Sequence, residues 1–243
     1  MANAANRWQH AHEPAHRKPK AGPMQTAEFL ATTPLFAGAS PDEIASMLGC
    51  LGAREKTFQA DERIFRMGDT ITSVGVVMEG AIRIESVTAW GDISVIRVAG
   101  PGQLFGEAYA AVPDEPLTID VIAATDCRIL FLEVSKVIAT CPHACPHHAR
   151  TSANLTAAIA RRNIELSRRI VHMSAKTIRE KVLAYLSDQA ELSGSREFDI
   201  PLDRAQLAAY LGTDRSALSA ELSRMQRDGL IATRRSHFKL LAQ

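Results

Sequence analysis

Two stretches of this 243-residue chain carry side chains whose types and spacing could do chemistry. One is Cys141-Pro-His143-Ala-Cys145-Pro-His147-His148, two thiols and three imidazoles within eight residues. Soft and borderline metals prefer such ligands, so Cys141, Cys145 and His147 are candidates to hold a metal or haem, and the two thiols could form a disulfide. Residues four apart share one side of a helix, but Pro142 and Pro146 argue against a continuous helix there. The spacing matches no standard zinc pattern, and a proline-broken turn with partly buried thiols also accounts for it. The other stretch is 203–231, DRAQLAAYLGTDRSALSAELSRMQRDGLI. Its Arg215 could bond a guanine edge twice or grip a phosphate, Ser216 and Ser219 could read donors or acceptors, and Ala220 offers only apolar contact. Arg204 and Thr213, together with Arg234 and Arg235 further on, complete a candidate set of contacts to bases and phosphates.

Two helices joined by a tight turn would position this set. Asp203 can cap a first helix, Arg204–Leu211, and Gly212 suits the positive φ just past its end. Asp214 can cap a second, from Arg215 to about Asp228, before Gly229 stops it. Leu207, Leu211, Leu218, Leu222 and Met225 fall at helical spacings and can pack the pair together, leaving the start of the second helix outward. A helix-turn-helix places that end in the DNA major groove, although an ordinary helical hairpin shares the pattern. Beyond it, Leu230–Thr233 and His237–Leu241 alternate as two strands around Arg234-Arg235-Ser236, a wing. Phe198–Pro201 reads as a short strand leading in.

Before this lies a different kind of chain. Residues 1–24 are polar, show no periodicity and are expected to be disordered. Met24–Leu51 reads as helix in two pieces punctuated by Pro34 and Pro41, with Ser40 or Pro41 opening the second. Short β-rich runs follow at Val74–Met78, Ala81–Val87, Ile93–Val98, Thr118–Ala123 and Arg128–Leu132, with glycines between and a hairpin turn at Trp90-Gly91-Asp92. They predict an antiparallel sandwich or roll. A long helix is expected from about Ala149 to His172. In it Ile159, Asn163, Leu166, Ile170 and Met173 alternate by four and three, a heptad seam. A buried Asn163 pair would fix a parallel dimer in register, whereas a solvent-facing Asn163 would leave the helix packed on its own roll. Ser174 is positioned to cap the next helix, Ala175 to about Leu192. The fold class is therefore α+β: residues 25–148 a roll, 149–173 a long helix with a candidate dimer seam and 174–243 a winged helix-turn-helix.

Net charge is only +1, so no global basic character points to nucleic acid. Its distribution says more. Residues 1–23 hold four Lys/Arg against one Asp/Glu, residues 24–171 hold 13 against 17, and residues 172–243 hold 11 against nine. The helix-turn-helix half is the more basic folded part. No run of about 18 apolar residues suggests a membrane span. The N-terminus lacks the apolar core of a signal peptide, and four cysteines are no disulfide scaffold. A cytoplasmic home with no membrane partner is the expectation. A metal-dependent enzyme on the roll would need inward histidines, and none lies between His16 and His143.

The order of roll, long helix and winged helix-turn-helix, with GQLFGEA in the roll and DRAQLAAYLGTDRSALSAELSRMQRDGLI near the end, resembles the Crp/Fnr family of bacterial transcription regulators. The resemblance runs from about Phe29 to Leu241. It implies a homodimer on palindromic double-stranded DNA, with a cyclic-nucleotide-binding-like roll whose signal reorients the recognition helices through a hinge near Val171–Ser174. RNA polymerase would be a further partner of an activator. In members that bind cyclic AMP, a Gly-Glu pair contacts the ribose, and an Arg-Ser pair ten residues on grips the phosphate. Gly106-Glu107 matches the first pair, but the second falls on Leu117-Thr118. Without the guanidinium a buried phosphate loses its strongest bonds, so cyclic AMP and cyclic GMP are disfavoured and Glu107 reads as structural. The family's recognition helix carries an acidic residue second and an arginine sixth, where this chain has Ser216 and Ala220. The resemblance also implies that a redox, oxygen or nitric oxide signal is open to this chain, since many relatives sense one through haem or an iron–sulfur cluster. No cysteine precedes Cys50, so the N-terminal cluster ligands of the iron–sulfur members are missing.

Overall fold

The computed structural model describes residues 23–87, 90–91, 93–139 and 146–241. Residues 1–22 of the expected disordered tail, Asp92 of the hairpin turn, Cys141 and Cys145 lie outside them, whereas Pro23 and Met24, also expected in the tail, open a helix. The chain divides into two compact units, residues 1–159 and 160–243.

The first unit opens with α1 (Pro23–Ala31), a 3-10 turn (Pro34–Phe36) and α2 (Pro41–Cys50). Ser40 begins α2 with a reciprocal cap: its hydroxyl accepts from the Glu43 amide, and its own amide donates to the Glu43 carboxylate. Among the described residues eight strands follow: β1 (Arg54–Phe58), β2 (Arg63–Phe65), β3 (Ser73–Glu79), β4 (Ile82–Val87), β5 (Ile93–Ala99), β6 (Leu104–Phe105), β7 (Asp120–Ala123) and β8 (Cys127–Glu133). They form two antiparallel sheets, β1-β8-β3-β6 and β2-β7-β4-β5, the expected roll. Between β6 and β7 lies the short α3 (Glu107–Ala110), and α4 (Val134–Ile138) follows β8.

Three strands exceed the expectation. The sequence of β1, Arg-Glu-Lys-Thr-Phe, has no apolar alternation because it is an edge strand, defined by its pairing with β8. The strands β2 and β6 are three and two residues long, too short for a period-2 signal. The roll's interior is filled by aromatic rings: Phe65 lies 5.7 Å from both Phe105 and Phe131, centroid to centroid. Gly75 permits this, since a Cβ there would stand 2.2 Å from the Phe105 ring. Cys127 is part of this core, and burial pushes its thiol pKa up to about 11. It serves as a small apolar side chain.

The helix α5 (Pro146–Ser174) starts three residues earlier than expected, because proline is tolerated at a first helical position. Its first half belongs to the first unit, where Leu155 is buried and the Asn154 amide donates to the carbonyls of Leu35 and Ala37. In the second unit come α6 (Ile178–Ser193), β9 (Glu197–Asp199), α7 (Arg204–Leu211), α8 (Arg215–Arg227), β10 (Ile231–Arg234) and β11 (His237–Leu240). The expected cap at Ser174 is corrected: Ser174 is the last residue of α5, and Thr177 caps α6. Thr177 has a glutamate, Glu180, three residues on and completes a capping box, whereas the residue three after Ser174 is Thr177 itself. Similarly, β9 ends at Asp199, before Pro201, which has no N–H to give a ladder.

Candidate nucleic-acid interface

The helix pair is built as its sequence dictates. Asp203 and Gln206 exchange backbone and side-chain bonds at the start of α7, both 2.8 Å. Gly212 ends the helix at φ +61°, a conformation that costs glycine little. Asp214 caps α8, its carboxylate accepting from the Ser216 and Ala217 amides at 2.8 and 2.9 Å and from the Ser216 hydroxyl. These bonds, the Ser216 hydroxyl's foremost, hold the Asp214 carboxyl below its ordinary range. Leu207, Leu211, Leu218, Leu222 and Met225 are all buried together.

Packing thereby fixes which face of α8 looks outward. Arg215, Ser216, Ser219 and Ala220 are exposed, as expected. Ser223 and Arg227 share that face and were missed; they lie four and eight residues beyond Ser219, a spacing legible in the sequence. The roll of α8 about its axis is set from the opposite side. Glu221, nearly buried, accepts from Arg179 of α6 and from Arg224, each at 2.6 Å at its closest. The Arg179 bond is the main reason its carboxyl sits below the usual range.

The strands β10 and β11 form the wing, and β9 adds a third strand. Arg234 and Arg235 at its tip are exposed, Arg235 with φ +57°. Arg204, expected to touch DNA, is half-buried. Its Nη2 donates to the Thr233 hydroxyl at 2.8 Å, and its guanidinium lies 4.9 Å from the Phe238 ring centre, so it ties α7 to the wing. Its Nη1 is buried without a hydrogen-bond partner, and so is the Thr213 hydroxyl in the turn.

The other expected sites are placed as follows. On α5, Ile159 packs against the first unit's core, while Asn163, Leu166 and Ile170 are exposed. In the roll, Gly106 begins α3 at φ +75° with Phe65 and Ile71 close against it, and Glu107 is half-buried. Leu117 is buried at 2% exposure. Thr118 is exposed, its hydroxyl 2.5 Å from that of Tyr109. His147 pairs through Nε2 with Glu43 at 3.2 Å, and His148 Nε2 lies 2.6 Å from the Lys136 carbonyl. Both Nδ1 atoms are buried without a partner. Among the described residues no group of three or more His, Cys, Asp or Glu side chains comes together to hold a metal. No helix among them is long and apolar enough to cross a membrane.

Comparison with known proteins agrees with this geometry. Residues 55–142 match the cyclic nucleotide-binding domain, and residues 180–242 match the Crp-like helix-turn-helix domain. The chain is 24% identical over 194 residues to the transcriptional activator protein FnrA of Stutzerimonas stutzeri, covering 77% of each. It is 25% identical over 199 residues to the cyclic AMP receptor protein of Thermus thermophilus, covering 82% of this chain and 88% of that one. Among solved structures, the c-di-GMP responsive global regulator CLP of Xanthomonas campestris shares the fold, with a TM-score of 0.54 at 16% identity over 83% of this chain and 99% of that one.

Proposed function

The chain belongs to the Crp/Fnr family of DNA-binding transcription regulators, and from that premise we propose that it acts as a homodimer that reads a palindromic operator and switches on a signal received by its roll. One observation carries the reading: buried leucines and Glu221 lock α8 so that Arg215, Ser216 and Ser219 stand outward beside a wing tipped by two arginines. Arg204 supports it from inside, since its bond to the Thr233 hydroxyl and its packing on Phe238 hold the wing against α7. For the dimer, the support is the exposure of Leu166 (51%) and Ile170 (68%) beside Asn163 at heptad spacing, apolar surface that a second copy of α5 would cover. The break between α5 and α6, at residues 175–177, adjoins the expected hinge.

The signal is a molecule or event other than cyclic AMP or cyclic GMP. Leu117 occupies the core where the cyclic-nucleotide-binding pattern needs a guanidinium, and the hydroxyl of Thr118 is engaged by Tyr109. A titration with cyclic AMP is expected to show no saturable binding. A metal or redox signal through Cys141, Cys145 and His147 is the second reading. It is favoured by His147 and His148, each of which commits Nε2 to a carboxylate or carbonyl and keeps a bare Nδ1, the arrangement of metal-ligating imidazoles. Metal analysis and an absorption spectrum of protein purified without oxygen test it; a colourless, metal-free protein removes a metal centre. The DNA reading is tested by selection from a random duplex library at stated salt. A palindrome bound at least about 10³-fold tighter than random DNA is expected, and equal binding would remove the regulator.

A further inference from the structure

We infer that the recognition helix selects base edges that donate hydrogen bonds, the N6 amino group of adenine or the N4 amino group of cytosine, because its serine hydroxyls present only acceptors. This rests on the DNA-reading face proposed above. A serine hydroxyl has one proton and two lone pairs. On this helix each proton is already spent. The Ser219 hydroxyl donates to the Arg215 carbonyl at 2.9 Å, and the Ser223 hydroxyl donates to the Ser219 carbonyl at 3.0 Å. The Ser216 hydroxyl donates to the Asp214 carboxylate, a charge-assisted bond. What each exposes to the groove is oxygen lone pairs.

Turning a hydroxyl around to meet an acceptor edge, guanine O6 and N7 or thymine O4, would break one of these bonds for each base read. Meeting a donor edge breaks none. The cost is largest at Ser216, where the partner is a carboxylate that also caps the helix through two backbone amides. Two further features sharpen the preference. The negative charge of Asp214 next to Ser216 disfavours an electron-rich edge there and favours an amino group. Ala220, beside Ser219, brings no competing polar group, so the serine oxygen is the reader on that turn. Arg215 supplies the one donor at the start of the helix and is suited to guanine. The half-site is thus expected to combine a guanine facing Arg215 with adenine or cytosine edges facing Ser216 and Ser219.

The experiment selects the preferred palindrome with the full chain and then changes single atoms. Each preferred adenine is replaced in turn by purine nucleoside, and each cytosine by 2-pyrimidinone nucleoside, which removes the amino group alone. Loss of the amino group facing Ser219 is expected to weaken wild-type binding about 2- to 13-fold. Ser219→Ala is expected to bind the two duplexes equally. Ser216→Ala is measured on the duplex changed at its own position, which keeps the test independent of one variant. Selection of guanine or thymine edges at both serine positions overturns the inference while leaving the regulator reading intact. So does an amino-group deletion that costs Ser219→Ala as much as wild type. If no palindrome is selected at all, both fall together.

Discussion

The helix α8 and the roll's Gly106–Thr118 turn depart from the family pattern in the same way: charge is missing where the pattern places it, at two positions on α8 and at one in the roll. The consequences differ because burial differs. On α8 the substitutes are Ser216 and Ala220 on an exposed face, so the Ser216 hydroxyl remains as hydrogen-bonding surface. In the roll the substitute is Leu117, sunk into the core, and its neighbour Thr118 is tied to Tyr109. On the proposed reading, losing a charge on an exposed face changes what is read, whereas losing it to a buried leucine removes the means of gripping a cyclic phosphate.

Substitutions can break or sharpen this contrast. The largest effect is expected in the cores. Leu218→Ala should cost about 2–5 kcal/mol and take DNA binding with it, because Leu218 fixes α8. Leu117→Ala should cost energy of the same order in the roll, and denaturant unfolding of both variants measures it. Next comes Arg215→Ala, expected to weaken the selected operator by about 1–3 kcal/mol with little change on random DNA. An equal loss on both would show a phosphate contact only. The wing follows: replacing Arg234 and Arg235 with alanine should reduce the slope of log affinity against log salt by about one unit for each phosphate contact. An unchanged slope would take the wing out of the interface.

The smallest effects are of pH, and the second unit contains both signs. Burial lowers the pKa of His172, which sits against Tyr185 and Tyr210 with Asp188 and Arg168 nearby. The unfolded chain then binds the extra proton first, so this contribution is present above about pH 6.5 and lost as pH falls below it. His237 is raised by its bonds to Glu197 and then Asp199. Its contribution is complete below about pH 6.5 and lost as pH rises through its folded pKa. Unfolding midpoints across pH, compared with His172→Gln and His237→Gln, separate the two slopes.

Much of this was legible in the residues, for identifiable reasons. The ends of α7 and α8 are marked by Asp203, Gly212 and Asp214, local devices that act through their own backbone, and their positions followed to within a residue. The strand β1 was not legible, because an edge strand of charged residues is defined by its partner β8. Nor was the role of Arg204, which depends on Thr233 and Phe238 far along the chain. The cap of α6 is local too: Ser174 and Thr177 both have a capping side chain, and the glutamate three residues on distinguishes Thr177. The acceptor state of the serines needed the structure, since a sequence shows a hydroxyl without showing where its proton goes.

The central claim, a dimer that places two recognition helices on one face of DNA, is tested most directly by hydroxyl-radical footprinting of the full chain on its selected operator. Two protected patches related by a two-fold axis and separated by about 10 base pairs are expected. A single patch, or protection without two-fold symmetry, would contradict it.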